Sequence, residues 1–433
     1  ALRLVKWRLR DISKPESRVV MERMPVCANC HSFSADGATM GMDLDGLQNN
    51  KGQYFRAPLA PQTTVNLDNL IQWRSPQGRL RNQIRVGFMS QLSPDGRFVA
   101  TTLNPSGPPP GQAGPPSNYY VMNFPDYRFL QVVVPTRGAI HYFNPSDGLL
   151  HPLPGADLPQ YVQFGAVWSP DSSYLVFARA DARDPNPEGA PAARYANDPN
   201  ERQIQYDLYR IPFNNGRGGT ATPLAGASTN GMSNTFPKVS PDGRWIVFVK
   251  ARNGQLMRPD SELWIIPSAG GEPRRMNCNT ALMNSWHSFS PNSRWLVFSS
   301  KARSPYTQMY LTHIDENGID SPPILIENST ASNRAVNLPE FVNVKPGTLE
   351  SLGGPALDFY RLYDRAAYLQ KQNDPAAAVQ AWQRVLALRP DDEMALNQLG
   401  VALLKSGRPA EARQAMQRAA HSRARRLSEE QAR

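Results

Sequence analysis

The chain has few cysteines and few charged residues for its length, and it has no long apolar run. It contains three cysteines among 433 residues, and charged side chains make up 19% of it. So few thiols exclude a small scaffold held together by many disulfides. No stretch of about eighteen apolar residues occurs, so no transmembrane helix is predicted. The first ten residues lack the apolar core of a secretion signal, and we expect that any such signal has been removed.

The sequence also lacks the motifs of two common function classes. It has no G-x-S-x-G elbow, which argues against a serine hydrolase. Its net charge of +10 could indicate nucleic acid, but no zinc finger, helix-turn-helix or RNA-binding signature accompanies that charge. An acidic protein partner or a membrane surface explains the excess of positive charge better. The basic residues that crowd the two ends are Arg3, Lys6, Arg8, Arg10, Arg423, Arg425 and Arg426.

The most informative motif is a C-x-x-C-H run at Cys27, Cys30 and His31. Two thiols at this spacing can bond the two vinyl groups of a haem, with the adjacent imidazole as fifth ligand of the iron. A thioredoxin-like pair would need a compact α/β unit around it, and a tetrahedral zinc site would need ligands that the lone Cys278 does not supply. The motif therefore predicts one covalently bound haem c, with Cys278 as a buried structural thiol.

The sixth ligand of such an iron decides whether the haem carries electrons or binds small molecules. Met42, with Met40 as second choice, is close in sequence to His31, and a His/Met pair suits an electron carrier. Either methionine could instead fill a gap in a core. Other candidates, which the fold would have to bring in, are Met89, His141, His151 and His287. An oxygen-rich stretch at Asp43, Asp45, Asn49 and Asn50 lacks EF-hand spacing and is interpreted as a polar turn.

Internal repetition predicts the fold of the middle of the chain. A turn of the type Ser-Pro-Asp-Gly followed by an aromatic and aliphatic run begins at Ser93, Ser169, Ser240 and Ser290. Proline and Asp or Asn favour the turn, and the run that follows favours a strand. One such hairpin per blade is typical of a β-propeller. With weaker cases at 119–134 and 308–327 included, we predict about six blades, interrupted by Pro- and Gly-rich insertions at 107–116 and 184–191.

The last quarter of the chain has a different pattern. Residues 373–386 align with residues 407–420 at an offset of 34, which is the tetratricopeptide period. Two such helical repeats are predicted. Because two repeats bury little core, they are expected to lean on the propeller, on a partner or on another copy of the chain.

The Ser-Pro-Asp-Gly repeats resemble those of TolB-type propellers, which are related to WD-repeat proteins, over about residues 80–340. With the motif at Cys27–Gly37 and the following Gly41-Met42-Asp43, the sequence resembles a group of exported bacterial cytochromes in which a haem segment is fused to TolB-like blades. That resemblance implies a haem at the margin of the propeller and a periplasmic or extracellular location.

The predicted fold class is mainly β, a propeller with a haem c segment before it and an α-helical tetratricopeptide domain after it. The predicted units are a basic N-terminal arm (1–23), a haem c segment (24–60), the propeller (61–345), a linker (346–357), two tetratricopeptide repeats (358–425) and a basic tail (426–433).

The predicted function is electron transfer within a larger extracytoplasmic redox complex. The propeller and repeats would dock other protein subunits, and the basic N-terminal arm would contribute to that docking. Two alternatives remain open at this point. One is a haem enzyme with an open distal site, and the other is a structural or assembly subunit.

Overall fold

The computed structural model describes residues 4–24, 26, 28–46, 49–73, 87–104, 119–125, 129, 131–185, 189–254, 258–329 and 334–431. Within these residues the chain forms five four-stranded antiparallel sheets, followed by four helices. Each sheet has the meander order of a propeller blade, and the fold is a β-propeller with a C-terminal helical region.

The strands that precede and form the first two blades are β1 (Lys6–Leu9), β2 (Arg18–Glu22), β3 (Ala28–Phe33), β4 (Thr39–Gly46), β5 (Asn49–Pro58), β6 (Gln62–Thr64), β7 (Leu70–Gln72), β8 (Phe88–Leu92), β9 (Val99–Leu103), β10 (Tyr119–Asn123), β11 (Gln131–Pro135), β12 (Ala139–Asn144) and β13 (Leu149–Pro152). Blade 1 has the order β3-β4-β5-β7, and blade 2 has the order β8-β9-β12-β13. The hairpin β10–β11 is a separate two-stranded sheet inserted into blade 2.

The strands of the remaining blades are β14 (Tyr161–Trp168), β15 (Tyr174–Asp181), β16 (Asp207–Pro212), β17 (Thr222–Pro223), β18 (Ser233–Val239), β19 (Trp245–Ala251), β20 (Glu262–Pro267), β21 (Arg274–Arg275), β22 (Asn284–Phe289), β23 (Trp295–Ser300), β24 (Gln308–His313) and β25 (Ile324–Leu325). They form blades 3, 4 and 5, with four consecutive strands in each. The inner strands β3, β8, β14, β18 and β22 contact one another in that order. They therefore line the axis of the ring.

The turn that joins the first two strands of a blade is the same in all five blades. In blade 2 the Ser93 hydroxyl donates to Asp95 Oδ1 and accepts from the Phe98 amide. Both bonds recur at the turns that begin with Ser169, Ser240 and Ser290. They occur a fifth time at Ser34, which donates to Asp36 and accepts from the Thr39 amide. The motif segment thus leads directly into a propeller turn.

The helices are α1 (Pro355–Lys371), α2 (Pro375–Leu388), α3 (Glu393–Lys405) and α4 (Pro409–Gln431). Asp374 caps α2 by accepting a hydrogen bond from the Ala377 amide at 3.0 Å, and Asp392 caps α3 in the same way. Pro375 occupies the first turn of α2, where the missing amide hydrogen costs nothing. These local features produce two helical hairpins, as the 34-residue offset predicts.

Blade 1 and the helices share one hydrophobic core. Met40, Met42 and Leu44 on β4 belong to the same buried cluster as Leu357 and Phe359 on α1. The N-terminal hairpin β1–β2 contributes Met21 to this cluster, and strand β26 (Ser351–Gly353) contributes Leu352. Strand β26 pairs in parallel with β6. The helical region therefore packs against blade 1 through a common hydrophobic core and is not joined to it by the chain alone.

Several predicted boundaries differ from the structure. The predicted arm 1–23 contains the hairpin β1–β2, with Val20 and Met21 buried. The predicted haem segment 24–60 supplies three of the four strands of blade 1, so its boundary with the propeller falls inside a sheet. Helix α1 begins within the predicted linker, and α4 runs into the predicted tail. The predicted polar turn is part of a hairpin, with Asp43 and Asp45 in strand β4 and Asn49 and Asn50 in strand β5, while residues 47–48 lie outside the described residues.

The prediction of about six blades is also wrong for the described residues, which form five. The segment 119–134 is an inserted hairpin and not a blade, and the segment 308–327 contains the outer strands of blade 5. Of the two predicted insertions, 107–116 lies outside the described residues, as do residues 186–188 of the other.

An extended segment, residues 334–345, closes the ring between blade 5 and blade 1. The Phe341 amide donates to Ser288 Oγ of blade 5 at 3.2 Å, and Asn343 Nδ2 donates to the Ala35 carbonyl of blade 1 at 2.8 Å. Gly37 has φ +70°, and a Cβ there would collide with the Asn343 carbonyl. The closing segment therefore lies directly on the turn of blade 1.

This contact gives a testable prediction for two equivalent turn glycines. Gly37→Ala and Gly243→Ala both place alanine at a positive φ, but a Cβ at Gly243 would have no neighbour within 4 Å. Both substitutions should lower the free energy of unfolding by about 1–2 kcal/mol, because alanine is disfavoured at a positive φ. Gly37→Ala should lower it by about 1–3 kcal/mol more, because the added methyl group collides with the Asn343 carbonyl. Urea unfolding of the two variants measures the difference, and equal losses would show that the closing segment is not docked in solution.

Candidate functional site

Each inner strand carries a β-bulge at the same place. The register of the pairing shifts there in all five blades. The residue at the bulge has a positive φ, and it lies four residues before the turn serine. Bulges re-aim side chains and are frequent beside functional sites. The five bulge residues are Cys30, Met89, Gly165, Phe236 and Trp286.

The bulges aim their side chains at a common cavity. A cavity of about 50 Å³ is bounded by Cys30, Met89, Phe236 and Trp286. The bulge of blade 3 is a glycine and adds no side chain. A non-glycine residue at positive φ is strained, and such strain persists only where the surrounding fold imposes it. The same backbone device that shapes the rest of the cavity thus places Cys30 in its wall.

His31 lies in the same cavity wall. Its Nε2 atom is 3.5 Å from a carboxylate oxygen of Glu340, which belongs to the closing segment. Its ring centroid is 4.6 Å from that of Trp7 on β1. Burial lowers the pKa of His31 below its ordinary value, while Glu340 opposes the shift and Lys238 adds to it. The neutral imidazole, which is the form that binds metals, is therefore favoured.

The two methionines predicted as distal ligands lie elsewhere. Met40 and Met42 are fully buried in the core that blade 1 shares with α1, and neither borders the cavity. Met42 is the direct cross-strand partner of His31. Cross-strand partners project side by side from one face of a sheet. Met42 would therefore have to leave this core to reach a group held at the cavity.

Of the other candidate ligands, only Met89 and His287 border the cavity. Met89 is half-buried, whereas the His287 ring is buried, and its Nε2 lies 3.0 Å from the Val247 carbonyl. Burial lowers the pKa of His287 to about 3. His141 interacts with the Ala139 carbonyl, and His151 pairs with Asp147 on the outer strand of blade 2.

Two further polar or thiol positions have structural roles. Asp43 accepts hydrogen bonds from the amide and hydroxyl of Ser90, and these bonds tie blade 1 to blade 2. Cys278 is fully buried, as predicted, and burial together with the Asp320 carboxylate raises the pKa of its thiol. Among the described residues no group of three or more His, Cys, Asp or Glu side chains could hold a metal ion.

The donors around the cavity fit a c-type haem, although Cys27 lies outside the described residues. Cys30 offers a thiol, His31 offers a neutral imidazole, and Met89 offers a thioether. The cavity volume of about 50 Å³ is well below the roughly 300–1,000 Å³ of ordinary ligand pockets. The donor types therefore fit a haem, but the cavity as it stands in this structure is too small to hold one. Coordination by His31 would also break its contact with Glu340, because Nε2 is the atom that faces Glu340.

Sequence reasoning missed how the motif relates to the repeats. Residues 30–34 read Cys-His-Ser-Phe-Ser, and residues 286–290 of blade 5 read Trp-His-Ser-Phe-Ser. The turn at Ser34 was not recognised as a repeat because Ala35 stands where the other four turns have proline. Alignment of the two segments would have revealed that His31 corresponds to His287.

The fold and site together define a five-bladed β-propeller whose first inner strand presents a cysteine and a histidine to the ring axis. The sequence model of the tetratricopeptide repeat family matches residues 363–426, which confirms the predicted C-terminal repeats. A search of curated proteins found no match.

Three solved structures illustrate the likeness of the propeller. A protein from Agrobacterium tumefaciens described as TolB is 18% identical, with a TM-score of 0.43 over 73% of this chain and 85% of that one. TolB from Acinetobacter baumannii is 14% identical, with a TM-score of 0.37 over 74% and 66% of the two chains. Oligogalacturonate lyase from Vibrio parahaemolyticus is 12% identical, with a TM-score of 0.40 over 73% and 70%. Likeness at this level carries no argument about function.

None of the helices in the described part of the chain combines the length and the apolar character that crossing a membrane requires.

Proposed function

We propose that this protein is an electron-transfer subunit of a larger redox complex outside the cytoplasm. It would carry one haem c, bonded to Cys27 and Cys30, with His31 as the proximal ligand. The observation that carries the proposal is the bulge in β3, which turns Cys30 into the cavity that His31 and Met89 also border. A thiol, an imidazole and a thioether around one cavity are the donors that this cofactor uses.

The haem would supply a one-electron couple, and the chain would set its surroundings. Burial lowers the pKa of His31, which favours the neutral imidazole that iron binds. The indole of Trp7 lies against the imidazole ring and limits its rotation. Phe236 and Trp286 provide an apolar wall, which keeps water away from that side of the cavity. The propeller would thus hold the imidazole and the apolar wall in place around the cofactor.

The helical region and the N-terminal hairpin would dock partner proteins. Tetratricopeptide helices commonly form protein-binding surfaces, and α4 carries several arginines. The N-terminal hairpin adds exposed basic side chains at Lys6 and Arg8. Such a surface favours encounters with acidic partners. Attachment of this type of haem follows export in bacteria, so the proposal places the protein in the periplasm or outside the cell.

The test is covalent haem in the purified full-length chain. The protein is produced in a host that matures c-type cytochromes, denatured, and examined by mass spectrometry and by peroxidase staining. We expect the mass of one haem on the wild type and on Cys278→Ala, and a loss of covalent attachment at one thiol in Cys30→Ala. Wild-type protein with the mass of the bare polypeptide would overturn the proposal.

A second candidate function follows from the correspondence between His31 and His287. His287 is buried, and its Nε2 interacts with the Val247 carbonyl of the neighbouring blade, so a histidine at this position helps to join two blades. The histidine of the motif can therefore be explained by the repeat alone. In that case the chain is an assembly subunit without haem, and the bare polypeptide mass in the same experiment supports it.

A further inference from the structure

We infer that the N-terminal hairpin β1–β2 binds the surface of an anionic lipid bilayer. One side of this hairpin is attached to the body of the protein, and the rest of it carries exposed apolar and basic side chains. Such binding requires no haem, so it goes beyond the proposed function.

The hairpin is held against the propeller at several points. Trp7 lies against the imidazole of His31, with ring centroids 4.6 Å apart, and Met21 is buried in the core that blade 1 shares with the helices. The Arg10 guanidinium donates to the carbonyl of Glu327, two residues after the last strand of blade 5, at 2.9 Å. The hairpin is therefore a fixed part of the protein surface, and its exposed side chains have a defined place on that surface.

The two most exposed large apolar side chains in the part of the chain that the structure describes both belong to this hairpin. Leu4, just before β1, is 70% exposed, and Ile12, in the turn between the strands, is 53% exposed. The turn is ordered, because Asp11 accepts hydrogen bonds from the amide and the hydroxyl of Ser13 at 3.0 and 2.7 Å. Ile12 is thus held in contact with water, an unfavourable position that insertion into an apolar layer would relieve.

The hairpin is also positively charged. Residues 4–24 contain six Lys or Arg side chains and three Asp or Glu side chains. The guanidinium groups of Arg8, Arg10 and Arg18 donate to Ser17 or to backbone carbonyls, and none of the three forms an ion pair with another described residue. Their charge is therefore left to attract anionic headgroups.

A bilayer explains this arrangement better than an acidic protein does. Leu4 and Ile12 are eight positions apart, which corresponds to roughly 25 Å of extended chain, and basic residues lie between them. Protein interfaces instead gather their strongest contacts in one central, buried patch. A bilayer interface accepts separate apolar side chains, and attraction to anionic lipid adds to their insertion. Neither contribution alone gives stable attachment, but the hairpin supplies both.

The experiment is co-sedimentation of the full-length protein with lipid vesicles. One set of vesicles contains phosphatidylglycerol mixed into phosphatidylcholine, and the other contains phosphatidylcholine alone. We expect the wild type to bind the anionic vesicles at least about tenfold more tightly than the neutral ones, because several basic side chains each contribute. Added salt should weaken binding to the anionic vesicles, since it screens exposed charges.

One pair of variants tests the apolar contribution. Ile12→Ser should weaken binding to anionic vesicles about five- to tenfold, because a half-exposed apolar side chain no longer inserts. Leu404→Ser is the matched control, since Leu404 is 51% exposed at the end of α3, and it should bind like the wild type. Thermal unfolding should be unchanged in both, because neither side chain is buried.

A second pair tests the charge. Lys14 and Arg23 have side chains that are 69% and 86% exposed, so replacing both by glutamine should leave the fold intact. The double variant should bind anionic vesicles about 25-fold more weakly, at about fivefold for each basic residue. Lys405→Gln with Arg413→Gln removes two exposed charges from the helical region instead and should bind like the wild type.

Two results would overturn the inference. A wild-type protein that stays in solution with both kinds of vesicle would exclude a bilayer, and the hairpin would then fit an acidic protein partner. Unchanged binding in the Ile12→Ser and Lys14→Gln/Arg23→Gln proteins would show that another surface holds the vesicles. Neither result bears on the proposed haem, whose covalent attachment is measured on the denatured chain.

Discussion

A chain that ends at Gly354, without the four helices, should fail to form a stable propeller. Its β4 would lose the partners of Met40, Met42 and Leu44, which are fully buried in the core shared with α1. Exposing a large apolar side chain costs roughly 1.5–3 kcal/mol, so three of them cost on the order of 5–9 kcal/mol. That loss is comparable with the whole stability of an ordinary domain, about 5–15 kcal/mol. Soluble yield, dye binding to exposed apolar surface and thermal unfolding measure the effect.

A chain that ends at Ser406 is the matched control. It retains α1, α2 and α3, and it loses only α4, whose buried apolar residues in the described chain are Ala412, Ala415 and Ala419. Alanines bury little area, so this chain should remain folded with a modest loss of stability. A cooperative transition at the wild-type temperature for the chain ending at Gly354 would contradict the shared core.

The second large effect is expected at a buried ion pair. Arg258→Met should lower the free energy of unfolding by about 3–5 kcal/mol, because it leaves the buried carboxylate of Glu201 without its positively charged partner. The Arg258 guanidinium is fully buried and donates to both carboxylate oxygens of Glu201, at 2.5 and 2.7 Å. It also donates to Asn197 Oδ1 at 2.5 Å. These bonds join the loop before β16 to the loop before β20, so the loss should appear in urea unfolding of the propeller.

Two further variants test whether the loss of stability in Arg258→Met comes from the unpaired buried charge. Arg361→Met breaks an exposed pair with Asp358, whose atoms are 3.1 Å apart, and should cost no more than about 1 kcal/mol. The double variant Arg258→Met with Glu201→Gln should recover part of the loss, because no unpaired charge remains. If Arg258→Met costs as little as Arg361→Met, water reaches the site and the pair is not desolvated in solution.

The repeated turn made much of the fold predictable from the sequence. Proline, Asp or Asn and a following aromatic residue act locally, so the turns at Ser93, Ser169, Ser240 and Ser290 are visible without a structure. The turn at Ser34 has the same hydrogen bonds but lacks proline, and its blade was missed. The blade number could not be predicted, because an inserted hairpin and the outer half of a blade have the same strand pattern.

The candidate site was predicted less completely than the fold. The motif pointed to Cys30 and His31, which border the cavity, but proximity in sequence pointed to Met40 and Met42 as distal ligands of the predicted haem. Both lie on the face of β4 that packs against α1, and the sequence contains no local sign of where that helix docks. Met89 is 58 positions after His31 and reaches the cavity only through the ring arrangement of the blades.

The closing segment has a consequence for how the protein is assembled. Among the described residues, no blade borrows a strand from the opposite end of the chain, and the seam is joined by residues 334–345 and by the pairing of β26 with β6. These residues are synthesised after all five blades. The proposed haem, bonded near the amino terminus, would thus be attached before the closing segment joins the two ends of the ring.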